Sequence, residues 1–324
     1  MGCSNSYEGG KLKEISNVFA HNVDPNHSTR TSFIFKSNNK IIIIGTFDGM
    51  LQMFSLNNKT GNLTELASQQ AHDDMVSSII ELDDNKIITC SFDNNIKIYS
   101  INQNNFQELH AYYSHENSVS QIILLNNTKD FASCSMDKTI RIFSSMEPYE
   151  EKAKINEDKP ALSIAQLDTG IIGSIHKNIE RGDGAVIYFW KFQEGNNTLQ
   201  KVHTIDGTDN FQPLFIWALQ TKRFAISSES QLTIFDSEKY QKIKTISHQI
   251  WNSAPTSVCQ FQEDYLYVAC SGYICQIFVK DYNFYYFKKI NEMGGESKIV
   301  VTSDENLVMT SKENNLYIFK FTFV

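Results

Sequence analysis

One repeating pattern limits the possible folds of this chain more than any other feature. The stretches TCSFDNNIKIYS (89–100) and SCSMDKTIRIFS (133–144) both read Cys-Ser-x-Asp, then a short polar turn, then alternating apolar residues that end in an aromatic residue. The same spacing of eight residues between hydroxyl and aromatic joins Thr46 to Phe54, Ser227 to Phe235 and Ser311 to Phe319. Alternation with period 2 on either side of a polar turn predicts short paired strands.

The aromatic residues that close these units recur along the whole chain. Successive members lie 41 to 47 residues apart, two of them in looser copies: Phe54, Tyr99, Phe143, Trp190, Phe235, Phe278 and Phe319. Each unit holds short β-rich runs separated by Asn, Asp and Gly turn residues. A period near 40–45 residues with four short strands is typical of a propeller blade. The sequence therefore predicts an all-β, seven-bladed β-propeller, whose blades we number 1 to 7 in the order of these aromatic residues.

The units resemble the repeats of the WD-repeat propeller family. That family's pattern runs from a Gly-His step through Ser-x-Asp to Trp-Asp, and blade 2 here reads AHDDMV…TCSFDNNIKIYS. Blade 3 reads SHENSV…SCSMDKTIRIFS. The copies are degenerate, because Ala71 or Ser114 replaces the Gly and Phe or Tyr mostly replaces the closing Trp. The resemblance covers nearly the whole chain and implies an architecture, but it does not name a function.

The two ends of the chain are expected to share the last blade. The last repeat stops at Val324, soon after its third strand. The stretch KLKEISNVFAH (11–21) aligns with NLTELASQQAH (62–72) and NFQELHAYYSH (105–115), because in each an apolar residue lies nine positions before a histidine. Residues 11–20 therefore read as the outer strand of blade 7. Closing the ring in this way removes an exposed sheet edge.

Polar residues in blades 2 and 3 contain the residue types of a hydrolytic triad. A catalytic set is normally unique in its chain, whereas these residues recur at one spacing. The resemblance implies a hydrogen-bonded network that joins the strands of a blade, in which Tyr99 offers an O–H in place of the family's Trp and Phe143 cannot donate. We therefore expect no catalytic residue and a structural role for this set: His72, Ser91, Asp93, Tyr99, His115, Ser135 and Asp137.

Composition argues against several other classes of function. The six cysteines include no Cys-x-x-Cys pair, and Cys90 and Cys134 recur at one blade position, which favours small buried thiols over metal ligands. The net charge is −8 and no basic block exists, so nucleic acid is not expected as a partner. We expect no enzymatic activity, no cofactor and no metal.

Three large apolar side chains on adjacent blades form the first candidate for a protein-interaction surface. Phe47, Phe92 and Met136 each follow the strand hydroxyl residue and precede the turn acid, near the top rim. Exposed apolar patches mark interaction sites, so these side chains are expected to contact a partner protein. The alternative is that they fold inward and pack between blades.

The second candidate is the hairpin SIHKNIERGDGAV (174–186) of blade 4, which is about eight residues longer than its equivalents. Long loops on a rigid scaffold often carry binding, and the alternative is a tolerated surface insertion. Its IERG faintly resembles the Phe-Arg-Arg-Gly motif of phosphoinositide-binding propellers, but Glu180 stands where that motif has an Arg. The side chains that would form this surface are His176, Lys177, Arg181 and Asp183.

The opening residues MGCSNS predict N-terminal acylation. Gly2 and the serine at position 6 match an acceptor for myristoylation, and Cys3 is a neighbouring site for palmitoylation. One myristoyl chain binds membranes only marginally, so the second lipid would be required. We expect residues 1–10 to form a flexible tail and residues 11–324 to form the propeller. The alternative is an ordinary disordered start.

The sequence thus predicts a non-catalytic scaffold or adaptor that binds one or more proteins with the top face of its propeller. It has neither a secretory signal nor a run of about 18 apolar residues, so we expect a cytoplasmic protein, peripheral on the cytosolic face of a membrane through its N-terminal lipid. The alternative is a propeller that binds a lipid headgroup with the blade 4 loop.

Overall fold

The fold is known from a computed structural model that describes the following residues: 12–22, 30–36, 41–57, 63–83, 85–102, 104–126, 128–177, 184–208, 211–249, 251, 253–261, 264–270, 273–289, 299–302, 307–312 and 315–323. Side chains are described only between residues 41 and 283, with Phe261 excepted. Within these ranges all regular elements are strands, and no helix long and apolar enough to cross a membrane occurs among them. The predicted all-β class is confirmed.

After a first strand, β1 (Leu12–Asn22), six sheets follow, each built from four consecutive antiparallel strands. Blade 1 contains β2 (Arg30–Lys36), β3 (Ile41–Thr46), β4 (Met50–Leu56) and β5 (Leu63–Gln70). Blade 2 contains β6 (Val76–Asp83), β7 (Lys86–Ser91), β8 (Ile96–Asn102) and β9 (Asn105–Tyr112). Blade 3 contains β10 (Val119–Leu124), β11 (Asp130–Ser135), β12 (Thr139–Ser144) and β13 (Glu151–Asn156).

The next three blades repeat this order. Blade 4 contains β14 (Ala161–Gln166), β15 (Ile172–His176), β16 (Val186–Gln193) and β17 (Thr198–Asp206). Blade 5 contains β18 (Pro213–Leu219), β19 (Arg223–Ser228), β20 (Gln231–Asp236) and β21 (Lys242–Ser247). Blade 6 contains β22 (Ser257–Phe261), β23 (Tyr265–Cys270), β24 (Tyr273–Phe278) and β25 (Asn283–Lys289). Six successive blades of this kind confirm the predicted β-propeller architecture.

A further four-stranded sheet combines the two ends of the chain. It contains β26 (Ile299–Thr302), β27 (Leu307–Lys312) and β28 (Asn315–Phe323), and β1 pairs with β28 as its fourth strand. The pairing is antiparallel and runs from Leu12 opposite Phe323 to Asn22 opposite Asn315. We call the face that carries the turns between second and third strands, together with the loops between blades, the top face.

The hydrophobic core lies between neighbouring blades. One cluster packs Ile88 and Ile98 of blade 2 against Phe131 and Phe143 of blade 3, whose rings stack with centroids 5.3 Å apart. Comparable clusters join blades 1 and 2, 3 and 4, 4 and 5, and 5 and 6. Burial of each such side chain contributes roughly 2–3 kcal/mol, so each blade depends on its neighbours for stability.

A β-bulge recurs at one place in the outer strand of blades 1 to 5. In blades 2, 4 and 5 the pairing between third and fourth strands shifts just before the closing aromatic residue. The extra residue in the outer strand is Leu109, Val202 or Ile243, and each of these side chains is exposed. The outer rim therefore carries single apolar side chains far from the top face.

Candidate interaction surface

The polar residues of blade 2 form a hydrogen-bonded chain beneath the top face. The Nδ1–H of the buried His72 donates to Asp93 over 2.9 Å, and its Nε2 lies 2.8 Å from the hydroxyl oxygen of Thr89. Burial alone would raise the pKa of Asp93. The hydrogen bond from His72 and two backbone N–H donors outweigh burial and lower that pKa to about 2. The carboxylate therefore stays charged and joins the turn between β7 and β8 to the loop that carries His72 and Asp73.

Ser91 belongs to the same hydrogen-bonded chain, but its hydroxyl bonds to backbone groups and not to His72, so it is not placed as a nucleophile. Its hydroxyl donates to the carbonyl of Asp74 over 2.9 Å and accepts the backbone N–H of Asp93 over 3.0 Å. The hydroxyl of Tyr99 lies 3.1 Å from the carbonyl oxygen of Ala71 and 3.5 Å from the Glu108 carboxylate, and it does not bond to His72, Ser91 or Asp93. These hydroxyls hold the turn in shape, which matches a structural role and not that of a triad.

Blade 3 builds the same chain with added members. His115 donates to Asp137 over 2.8 Å and lies 2.7 Å from the hydroxyl of Ser133, while Ser135 accepts the backbone N–H of Asp137 over 3.0 Å. Thr139 donates to Asp137 over 2.6 Å and accepts Nε–H of Arg141 over 3.1 Å. Although burial opposes it, the hydrogen bond from His115 holds the pKa of Asp137 far below its ordinary value.

Thr89 and Ser133 are not among the residues predicted for this network, although their hydroxyls contact the rings of His72 and His115 directly. Both stand two positions before the strand serine, so the repeat of TCS and SCS carried the signal. Two residues along a strand share one face of the sheet, and the hydroxyl nearer the strand centre meets the imidazole. The serines nearer the turn bond to backbone instead.

In blade 4 the histidine that joins the hydrogen-bonded chain is His176, which lies at the end of the second strand and not in a loop between blades. The Nε1–H of Trp190 donates to the hydroxyl of Ser174 over 2.8 Å, and that hydroxyl lies 2.9 Å from Nε2 of His176. The remaining Nδ1–H of His176 donates to the carbonyl of Lys159 over 3.1 Å. The prediction that His176 belongs to a surface is wrong, because its side chain is wholly buried. Burial lowers its pKa to about 4, so the imidazole is neutral at pH 7.

Comparison with known families agrees with this geometry. The model of the WD domain, G-beta repeat, matches residues 63–100 and 106–144, which span the outer strand of blade 1 with most of blade 2, and the outer strand of blade 2 with most of blade 3. The chain is a WD-repeat β-propeller protein. No curated protein matches it. The histidine, hydroxyl and carboxylate positions of this WD-repeat protein are therefore parts of its repeats.

The first candidate surface of the WD-repeat protein lies on the top face of blades 1 to 3. The side chains of Phe47 and Phe92 are 52% and 38% exposed, which excludes the alternative that they pack between blades. Met136 is half-buried. Its backbone N–H donates to the carbonyl of Ser118 over 2.9 Å, and the hydroxyl of Ser118 donates to the carbonyl of Phe92 over 3.3 Å. One residue thus bridges the two turns and holds them beside each other.

The turn that carries Phe47 is anchored at Gly49. This glycine has φ +85°, and a Cβ added there would lie 2.1 Å from the carbonyl oxygen of His72. The carbonyl of Gly49 accepts the backbone N–H groups of Ala71 and His72, each over 3.1 Å. Only glycine allows this close approach with a left-handed backbone. The exposed Phe47 is therefore carried by a rigid turn.

The second candidate surface is described only in part. Lys177 is half-buried at the start of the blade 4 hairpin, and Lys159 donates to the carbonyl of Gly184 over 2.8 Å at its other end. Arg181 and Asp183 lie outside the described residues, as do Gly2 and Cys3. With His176 buried, Lys177 is the single member of the predicted set that the described part of the hairpin presents.

The buried thiols and the carboxylate in the cleft between blades 3 and 4 have structural surroundings. Cys90 and Cys134 are fully buried, and burial raises the pKa of the Cys134 thiol. No group of three or more His, Cys, Asp or Glu side chains suited to a metal ion occurs within the described ranges. A cleft of about 330 Å³ opens between the bottoms of blades 3 and 4. In it the buried Asp130 is already paired with Lys152 over 2.8 Å.

Proposed function

We propose that this WD-repeat protein is a non-catalytic scaffold that binds a partner protein on the top face of blades 1 to 3. The observation that carries the proposal is the exposure of Phe47 and Phe92 on turns held by backbone hydrogen bonds. Interface energy concentrates in a few large anchors, each of which typically contributes about 2 kcal/mol or more. Rigid presentation reduces the entropy lost on binding, because the anchors are already in place.

Affinity purification from native cells tests the scaffold proposal. Phe92→Ser is expected to lose at least one specific partner that the wild-type protein retains. Ile243→Ser is the matched control, because Ile243 is 44% exposed but lies on the outer strand of blade 5. Equal recovery of every partner by Phe92→Ser and wild type would remove the top face of blades 1 to 3 as the binding surface.

The scaffold that we propose is a closed ring of seven blades formed by residues 11–324. Pairing of β1 with β28 supports this arrangement, and so do the contacts of β26 with β22 and of β26 and β27 with β2. A closed ring leaves no blade without a neighbour on either side, which protects the hydrophobic faces of the first and last blades.

We also propose that Gly2 and Cys3 carry lipids that tether the scaffold to the cytosolic face of a membrane. The support is the opening sequence MGCSNS, which contains a myristoyl acceptor and an adjacent thiol. β1 begins at Leu12 opposite Phe323, so the tail would leave from the bottom of blade 7. A tether there would leave the top face open to a partner.

Binding of a lipid headgroup by the blade 4 hairpin is the competing function. The burial of His176 removes one of the polar groups on which that function depended. Liposome binding by an unacylated protein, abolished by Lys177→Ala, would favour it over the lipid tether.

A further inference from the structure

The structure points to the chemistry of the partner: we infer that it presents Lys or Arg beside a bulky apolar side chain. This inference rests on the proposed docking site on blades 1 to 3, and it adds the charge of the occupant. It is based on the observation that exposed apolar turns alternate with acidic loops along this part of the top face.

The acidic loops lie directly against the apolar turns. The loop from blade 1 to blade 2 carries Asp73 and Asp74, and it touches the Phe47 turn through the N–H of His72 on the carbonyl of Gly49. The next residue of that loop, Met75, accepts the backbone N–H of Phe92 over 2.9 Å. The loop from blade 2 to blade 3 carries Glu116. It is joined to both of its flanking turns by the hydrogen bonds of Ser118 described above.

The carboxylate of Asp74 accepts the backbone N–H of Met75 over 2.7 Å, but those of Asp73 and Glu116 are not needed to hold the loops in place. The backbone N–H groups of Asp73 and Glu116 do that, by donating to Asp93 over 3.1 Å and to Asp137 over 3.2 Å. All three acidic side chains are exposed, and none has an ion-pair partner in the described part of the chain. They are Asp73, Asp74 and Glu116.

Cations near these loops do not cancel their charge. Lys97 is half-buried, and its ammonium already has two partners: the carbonyl oxygen of Ala71 at 2.7 Å and the Glu108 carboxylate at 3.1 Å. Lys138 is exposed in the blade 3 turn, and it supplies one positive charge against three negative charges. The described surface around Phe92 is therefore apolar and acidic together. A complementary segment combines an apolar anchor with basic groups, which also speed its approach at low salt.

A random-peptide phage library selected on the whole protein tests the inference. Peptides enriched by wild type and lost with Phe92→Ser are expected to carry an excess of Lys and Arg next to Phe, Leu, Trp or Met. For a synthetic peptide of this type, Asp73→Lys combined with Glu116→Lys is expected to weaken binding roughly tenfold, because two attractions become repulsions. The same double variant should enrich peptides rich in Asp and Glu.

Glu229→Lys is the matched control, because it reverses one exposed acid on the top turn of blade 5. It is expected to leave the selected sequences unchanged. Peptides that depend on Phe92 but show no basic excess would overturn the charge inference and leave the docking site standing. Unchanged selection by the double Lys variant would overturn it too. Enrichment that never depends on Phe92 would overturn the docking site itself, and the inference with it.

Discussion

The indole N–H of Trp190 and the hydroxyl of Ser174 lie 2.8 Å apart in the interior of blade 4. The hydroxyl accepts this hydrogen bond and lies 2.9 Å from Nε2 of His176 and 3.5 Å from the carbonyl oxygen of Tyr188. The Nδ1–H then donates to a backbone carbonyl. Because burial lowers the pKa of His176 to about 4, the ring is neutral at pH 7, with its proton on Nδ1 and with Nε2 accepting from the hydroxyl.

The neutral His176 predicts a defined pH dependence of stability. Burial lowers its pKa from 6.5 to about 4, so the unfolded chain binds the proton first as the pH falls. Stability should be complete above pH 6.5 and should decline between pH 6.5 and 4, by up to about 3 kcal/mol. His176→Gln should flatten this part of the profile of melting temperature against pH. An unchanged slope between pH 6.5 and 4 in that variant would contradict the assignment.

Gly49 and Gly170 have similar backbone angles, so alanine substitutions at the two positions distinguish backbone strain from a steric clash. Gly49→Ala should destabilise by more than about 2 kcal/mol, because its Cβ would overlap the carbonyl of His72 at φ +85°. Gly170→Ala is the control, since Gly170 has φ +80° but open space around its Cβ position. It should cost only about 1 kcal/mol, the ordinary penalty for a left-handed residue. Chemical denaturation measures both, and equal losses would contradict the anchored Phe47 turn.

Much of the architecture was readable from the repeats, since the closing aromatic residues Phe54, Tyr99 and Phe143 all lie in third strands of their blades. The hydrogen-bond partners were not, because a repeat shows which residues correspond but not which hydroxyl faces the imidazole. The position of His176 escapes prediction for a related reason. The sequence places His176 in the extended hairpin of blade 4, but strand pairing extends to it opposite Ala161, and its side chain shares a face with Ser174. The exposure of Phe47 and Phe92 depends on turn direction, which the residue types leave open.

Truncation at the N-terminus tests the proposed closure of the ring. Deleting residues 1–20 removes most of β1 and should expose the edge of β28, which lowers the melting temperature and promotes aggregation. Deleting residues 1–9 leaves β1 whole and should have no effect on melting. Calorimetry of the two truncated proteins decides between these results. Equal melting temperatures would show that β1 does not complete the last blade.

Acylation is tested by changing its acceptors one at a time. Gly2→Ala should move the protein from the membrane fraction to the supernatant, because myristoylation requires that glycine. Cys3→Ser should weaken membrane retention while a single myristoyl chain remains. Mass spectrometry of the N-terminal peptide provides the readout. A retained Met1, or a free amine on Gly2, would remove the tether from the proposal.

The melting temperature of Phe92→Ser tests most directly whether blades 1 to 3 hold this side chain outward for a partner. We expect a change of no more than about 2 °C, because substitutions at exposed sites seldom alter stability by more than about 0.5 kcal/mol. Phe131→Ala sets the scale for a core position, where the loss should be about 3–5 kcal/mol and several degrees. A fall for Phe92→Ser as large as that for Phe131→Ala would place Phe92 in the core and contradict the docking surface.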